Sequence, residues 1–215
     1  MGCKMRSWFN WIFGLTISLF MGVFLWYAHS VFILNDATVY SENGPLENLQ
    51  AIVLVICTLA FLIPVAQNKG SAKLILLSCS WLCFSFVLRE LDVERLNVPY
   101  VIKLIGSGGG RNAMLALGFL ALLVCAAAKF SYYKKAGILF LKSKPGILLM
   151  LAGVFLVIGD VFENSHSIIH NVFFEESFEL LGYGLILLSA FAVNCGLTPY
   201  SSVSTADHKQ SDDPA

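Results

Sequence analysis

Six apolar runs, almost free of charge, constrain this chain more than any other feature. Residues 8–34 contain no Asp, Glu, Lys or Arg. Comparable runs follow, and the predicted membrane spans are about 8–34, 46–66, 74–93, 111–128, 146–164 and 173–196. Each is near the roughly 17–25 residues that cross a hydrocarbon core. A segment in lipid must satisfy its own backbone hydrogen bonds, so each is expected to be a helix. The expected fold is therefore all-α, a polytopic bundle of six transmembrane helices within residues 1–197. Residues 198–215, rich in Ser, Asp and Pro, read as a disordered cytoplasmic tail.

Composition agrees. Hydrophobic residues make up 57% of the chain and charged residues 13%, against roughly 45–50% and 25% in soluble proteins. Mean hydropathy is +0.75. These values exclude a soluble enzyme, a disordered protein and a disulfide-stapled secreted domain. The lipid bilayer is the first partner, and no nucleic-acid partner is expected.

Charge sets the orientation. Lys4, Arg6, Lys69, Lys73, Lys129, Lys134, Lys135, Lys142, Lys144 and Lys209 fall on one side of the predicted bundle. Arg89, Arg95, Lys103 and Arg111 fall on the other. The positive-inside rule puts the first group, and both termini, in the cytoplasm. Lys4, Arg6 and Ala28-His29-Ser30 resemble a signal peptide and cleavage site. The apolar run continues through Val31–Leu34, so an uncleaved anchor is the expectation. Ala136–Leu141 is too short to cross and reads as interfacial. Cys79 and Cys83, one turn apart, read as packing residues.

The acids cluster more than the bases do. Outside the tail, all eleven fall in an outer loop or at the outer end of a span. At 1.5 Å per residue, Arg89 and Glu90 lie about 23 Å along the third span, and Asp160 about 21 Å along the fifth. Both depths are inside a core of roughly 30 Å. Charges there must face the bundle and find partners or water. Glu47 opens the second span, Arg111 the fourth, and Glu176 and Glu179 the sixth. On one helix, Glu175, Glu176, Glu179 and Tyr183 fall within an arc of about 100°. Asp160, Glu163, His166 and His170 would share an arc of about 120° if the fifth helix continued past Asn164-Ser165.

Local motifs add detail. Asn43-Gly44-Pro45 is turn chemistry, with Pro45 suited to a first helical turn. Gly106–Gly110 lacks the strand and the Lys-Ser/Thr of a phosphate loop and reads as a flexible turn before Arg111. Arg89 keeps its charge and needs a carboxylate or phosphate partner.

Four segments together resemble a family of uncharacterised bacterial inner-membrane proteins with E-(N/D)-G-x-x-E and R-E-x-D signatures. They are Glu42-Asn43-Gly44-Pro45-Leu46-Glu47-Asn48-Leu49-Gln50, Leu88-Arg89-Glu90-Leu91-Asp92, Gly106-Ser107-Gly108-Gly109-Gly110-Arg111-Asn112 and Glu175-Glu176-Ser177-Phe178-Glu179-Leu180-Leu181-Gly182. The resemblance implies a multi-pass protein of a bacterial plasma membrane and brings no activity. A set of His29, His166, His170 and an acid is similar in chemistry to the zinc-dependent intramembrane hydrolases of the ceramidase and progestin-receptor type. Those have seven spans and a Ser-x-x-x-His pair that the spans of this chain lack, so the likeness is of chemistry alone.

The leading expectation is an outward-facing ionisable pocket that binds or modifies a lipid or an anionic ligand. Glu90, Asp92, Glu176 and Glu179 would be its catalytic carboxylates. Glu47, Arg89, Arg111 and Asp160 would bind, and Glu163, His166 and His170 would hold a divalent metal ion. A cation- or proton-coupled transporter and an accessory subunit docking a membrane partner are the rival readings. The scarcity of polar residues towards the cytoplasmic side argues against a continuous transport path.

Overall fold

The computed structural model describes residues 2–34, 36, 44–67, 72–91, 93, 98–165 and 171–197. Among these residues the protein is all helix. The elements are α1 (Gly2–Phe32), α2 (Pro45–Gln67), α3 (Ala72–Glu90), α4 (Tyr100–Gly106), α5 (Gly108–Ala128), α6 (Phe130–Leu141), α7 (Lys144–Glu163) and α8 (Asn171–Asn194). Parts of α1, α2, α5, α7 and α8 are long and apolar enough to cross a membrane. α3 is not among these five, since Lys73 stands near its start and Arg89 and Glu90 at its end.

Contacts at the helix ends fix their directions. Gln50 and Glu176, both near helix starts, are hydrogen-bonded, while Asn194 at the end of α8 donates to Ala60 late in α2. α2 and α8 therefore run parallel. Phe32, closing α1, lies edge-on to Phe173 near the start of α8. Phe162, near the end of α7, stacks on Phe174 and Phe178. Arg89 at the end of α3 reaches Glu179, and Arg111 at the start of α5 donates to Leu88 late in α3. The ends of α1, α3 and α7 and the starts of α2, α5 and α8 thus share one end of the bundle.

α8 is the central helix. It packs against α7, α2 and α1, and most of its residues, from Phe173 to Val193, are buried. Small residues allow this. A Cβ on Gly182 would sit 2.9 Å from Leu156 Cδ2 and 3.3 Å from the Ala152 carbonyl oxygen, so the glycine eases the close approach of α7 there. Buried hydroxyls and amides tie the helices together: Ser189 donates to the Pro145 carbonyl at 2.8 Å, and Ser80 to that of Thr58 at 3.0 Å. Phe61, Leu54, Leu76, Ile186 and Leu188 fill the core between them.

α5 is the opposite case, with no buried residue. It meets α3 where the Trp81 ring lies against Gly118. A face of that kind is stable only against an apolar solvent.

Three expectations are revised. The third helix stops at Glu90, and beyond it the Val93 N–H donates to the Leu91 carbonyl at 2.9 Å. Gly108–Gly110 belong to α5 itself, preceded by the short α4, instead of forming a flexible turn. The interfacial segment is longer than Ala136–Leu141, because α6 begins at Phe130.

Candidate functional site

The shared end of the bundle gathers ionisable side chains from three helices. α8 supplies Glu176 and Glu179, 8% and 3% exposed, and the fully buried Tyr183. Their spacing of three and four residues stacks them on one helical face. That face is turned inward because α8 is enclosed by its neighbours. The expected arc is therefore realised, with Glu175 at its half-buried edge.

α3 brings Arg89 and Glu90 to the same place. The Arg89 guanidinium forms an ion pair with Glu179, and its Nε lies 3.7 Å from Glu90 Oε1. That same Glu90 oxygen accepts a hydrogen bond from the Tyr183 hydroxyl at 2.7 Å. The Glu90 side chain is 5% exposed and that of Arg89 49%. Arg89 therefore has one side in the cluster and one side open. The chain Glu179–Arg89–Glu90–Tyr183 starts and finishes on α8, so it locks the end of α3 onto that helix.

α2 adds Gln50, which is fully buried. Its Nε2 donates to the Glu176 carboxylate at 2.8 Å and to the Glu176 carbonyl at 3.0 Å. Among the described residues its Oε1 has no hydrogen-bond partner. A buried acceptor left open beside a carboxylate is costly, and a donor or a cation would satisfy both groups. Glu47, one turn earlier and half-buried, is within electrostatic reach of Glu90 and Glu176.

Charge does not balance within this cluster. Ionised, Glu90, Glu176 and Glu179 carry three negative charges against the one of Arg89, which leaves two. Among the described residues, the only salt bridges are the two made by Arg89. Arg111, another cation at this end, donates to the Leu88 carbonyl at 3.0 Å. It braces the end of α3 and does not enter the cluster's ion pairs.

The other expected site residues divide clearly. Arg89, Glu90, Glu176 and Glu179 meet, with Glu47 beside them. Asp160 and Glu163 are exposed on α7, within electrostatic reach of Glu179 but outside the buried group. α7 ends at Glu163 and its C-cap is Asn164, so the four-residue alignment through His170 on one continuous helix does not form. Asp92, His166 and His170 lie outside the described residues. Among the described residues, no three His, Cys, Asp or Glu are grouped to hold a metal ion. The site also contains two residues that the expected set omitted, Gln50 and Tyr183. Both had a signal, since Tyr183 is four residues after Glu179 and Gln50 three after Glu47. Without the packing of α2 on α8, neither signal names a partner.

Apart from Trp81 Nε1, which is buried without a partner among the described residues, most polar groups deeper in the bundle are satisfied. Thr58, Ser78, Ser80, Ser189 and Asn194 all donate to backbone carbonyls. Cys57, Cys79 and Cys83 are buried free thiols within the hydrophobic core, as packing residues would be. Chemically, the site is a set of carboxylates with one tethered guanidinium, a phenol and an amide. Such a set holds a cation or exchanges protons, and none of the side chains that meet in it is a nucleophilic Ser, Cys or Thr.

Compared with known proteins, the chain matches no protein-family model, no curated protein and no solved structure.

Proposed function

We propose that the protein is a six-span bundle of a bacterial plasma membrane, with both termini cytoplasmic, that binds a cationic group at its outward-facing end. In this reading α3 is the sixth span, running between α2 and α5. The ten-to-four division of basic residues supports the orientation. The bacterial membrane rests on the family resemblance.

One observation carries the functional reading: among the described residues Glu176 is buried without a cationic partner, and the amide that holds it, Gln50, keeps an unsatisfied oxygen beside it. An ammonium group or a metal cation would meet both oxygens. An anionic ligand is the weaker choice. Arg89 is already paired with Glu179 and Glu90, and Arg111 is tethered to a carbonyl, so the buried part of the cluster offers carboxylates and not cations to a ligand. A transport path to the cytoplasmic side has no support in the largely apolar core below Tyr183. The reading is therefore of binding at the outer end, with ligand arriving from the bilayer or the outer solution.

Thermal unfolding of the purified protein in detergent tests this, with separate titrations of Na+, Mg2+ and ethanolamine. A ligand that binds only the folded form stabilises it by about 2.7 kcal/mol at a hundred times its Kd. At least one of the three should raise the Tm saturably, and Glu176→Gln should abolish the rise. A parent protein insensitive to all three overturns the proposal.

A further inference from the structure

We propose that α6 and the lysines around it form a binding surface for the head groups of anionic phospholipids. The first argument is position. α5 ends at Ala128 and α7 begins at Lys144, and both are candidate membrane-crossing helices. They leave and re-enter the membrane on one face, so residues 129–143 lie at that face. A helix of 12 residues is about 18 Å long and cannot cross a core of roughly 30 Å.

The second argument is charge. Residues 129–144 contain Lys129, Lys134, Lys135, Lys142 and Lys144 and no Asp or Glu. All five lysines are exposed. None takes part in the salt bridges found among the described residues. Among the described residues, the bundle's acidic cluster is at the opposite end.

The third argument separates a lipid surface from an acidic protein. α6 is held on the bundle by Ala136 and Phe140, which are buried. On its other sides Phe130, Tyr132, Ile138, Leu139 and Leu141 are exposed among the lysines. At the depth where two spans end, those side chains enter the acyl boundary and the lysine stems extend outwards to the phosphates. Apolar and cationic groups interleaved on one surface fit an array of phosphates above acyl chains. A soluble acidic partner would leave the apolar groups exposed. The surface is independent of the cation site, which lies at the other end of the bundle.

Native mass spectrometry of the detergent-purified protein tests the proposal. The protein is titrated with phosphatidylglycerol and, separately, with phosphatidylcholine of the same acyl chains. A lysine at an anionic surface is worth about five-fold in binding, so the parent should prefer the anionic lipid by ten-fold or more. The K129Q/K134Q/K135Q/K142Q variant should bind the two lipids equally, while the corresponding four-fold Lys→Arg variant should keep the preference. Equal binding of both lipids by the parent overturns the proposal, as does an undiminished preference in the Gln variant. Should the Gln variant fail to fold, the parent in 0.5 M salt decides: screening must collapse the preference, and a salt-independent preference refutes the lysine surface.

Discussion

The hydroxyl of Tyr183, in the middle of α8, donates to Glu90 at the last residue of α3, 2.7 Å away. It joins a residue with no exposed surface to a carboxylate that also faces Arg89. Tyr183→Phe removes this donor and nothing else. Hydrogen bonds to charged groups and the strongest interhelical bonds in membrane proteins overlap near 1.5 kcal/mol. Unfolding of the purified variant in an SDS titration should show a loss of about that size.

Arg89 and Glu179 should be strongly coupled. Arg89→Gln leaves two nearly buried carboxylates without their cation. A fully buried pair broken this way loses about 3–5 kcal/mol, and a surface pair less than about 1 kcal/mol. With half of the Arg89 side chain in contact with solvent, we expect about 2 kcal/mol. Adding Glu179→Gln should restore part of it, giving a coupling above about 0.5 kcal/mol in a double-mutant cycle. Strict additivity would show that the ion pair has no energetic role.

The attachment of α5 depends on the absence of a side chain. A Cβ on Gly118 would run into the Trp81 ring at Cζ2, so Gly118→Ala must displace the indole. Overpacking of this kind costs about 1–3 kcal/mol. Tryptophan fluorescence should shift as Trp81 moves, and the midpoint of unfolding should fall. An unchanged spectrum would mean that α5 is not seated there.

Topology is checked by reporters fused after Ala215. Green fluorescent protein should fluoresce, and alkaline phosphatase at the same position should be inactive. The reverse pattern removes α3 as a span or inverts the bundle.

The apolar runs made the long helices legible, because lipid leaves the backbone no alternative. Depth along each run also pointed to Arg89, Glu90, Glu176 and Glu179, since charges so far inside must share partners. Three things were not legible. The α4–α5 boundary lies within glycines that serve equally as turn or helix. The length of α6 depends on the seating of Ala136 and Phe140 against the bundle. The roles of Gln50 and Tyr183 depend on α2 and α3 meeting α8, a contact between residues more than ninety positions apart that no local spacing encodes.

The central position of α8 also sets an order of events during synthesis. α1, α2 and α3 are all made before it, and the groups that complete the carboxylate cluster, Glu176, Glu179 and Tyr183, are the last of that set to leave the ribosome. Until then Arg89 and Glu90 have only each other and Gln50 has no Glu176, so the earlier helices wait in the membrane with open polar ends. A nascent chain stalled before Asn171 is therefore an obvious substrate for membrane quality control, and arrival of α8 both closes the bundle and creates the site.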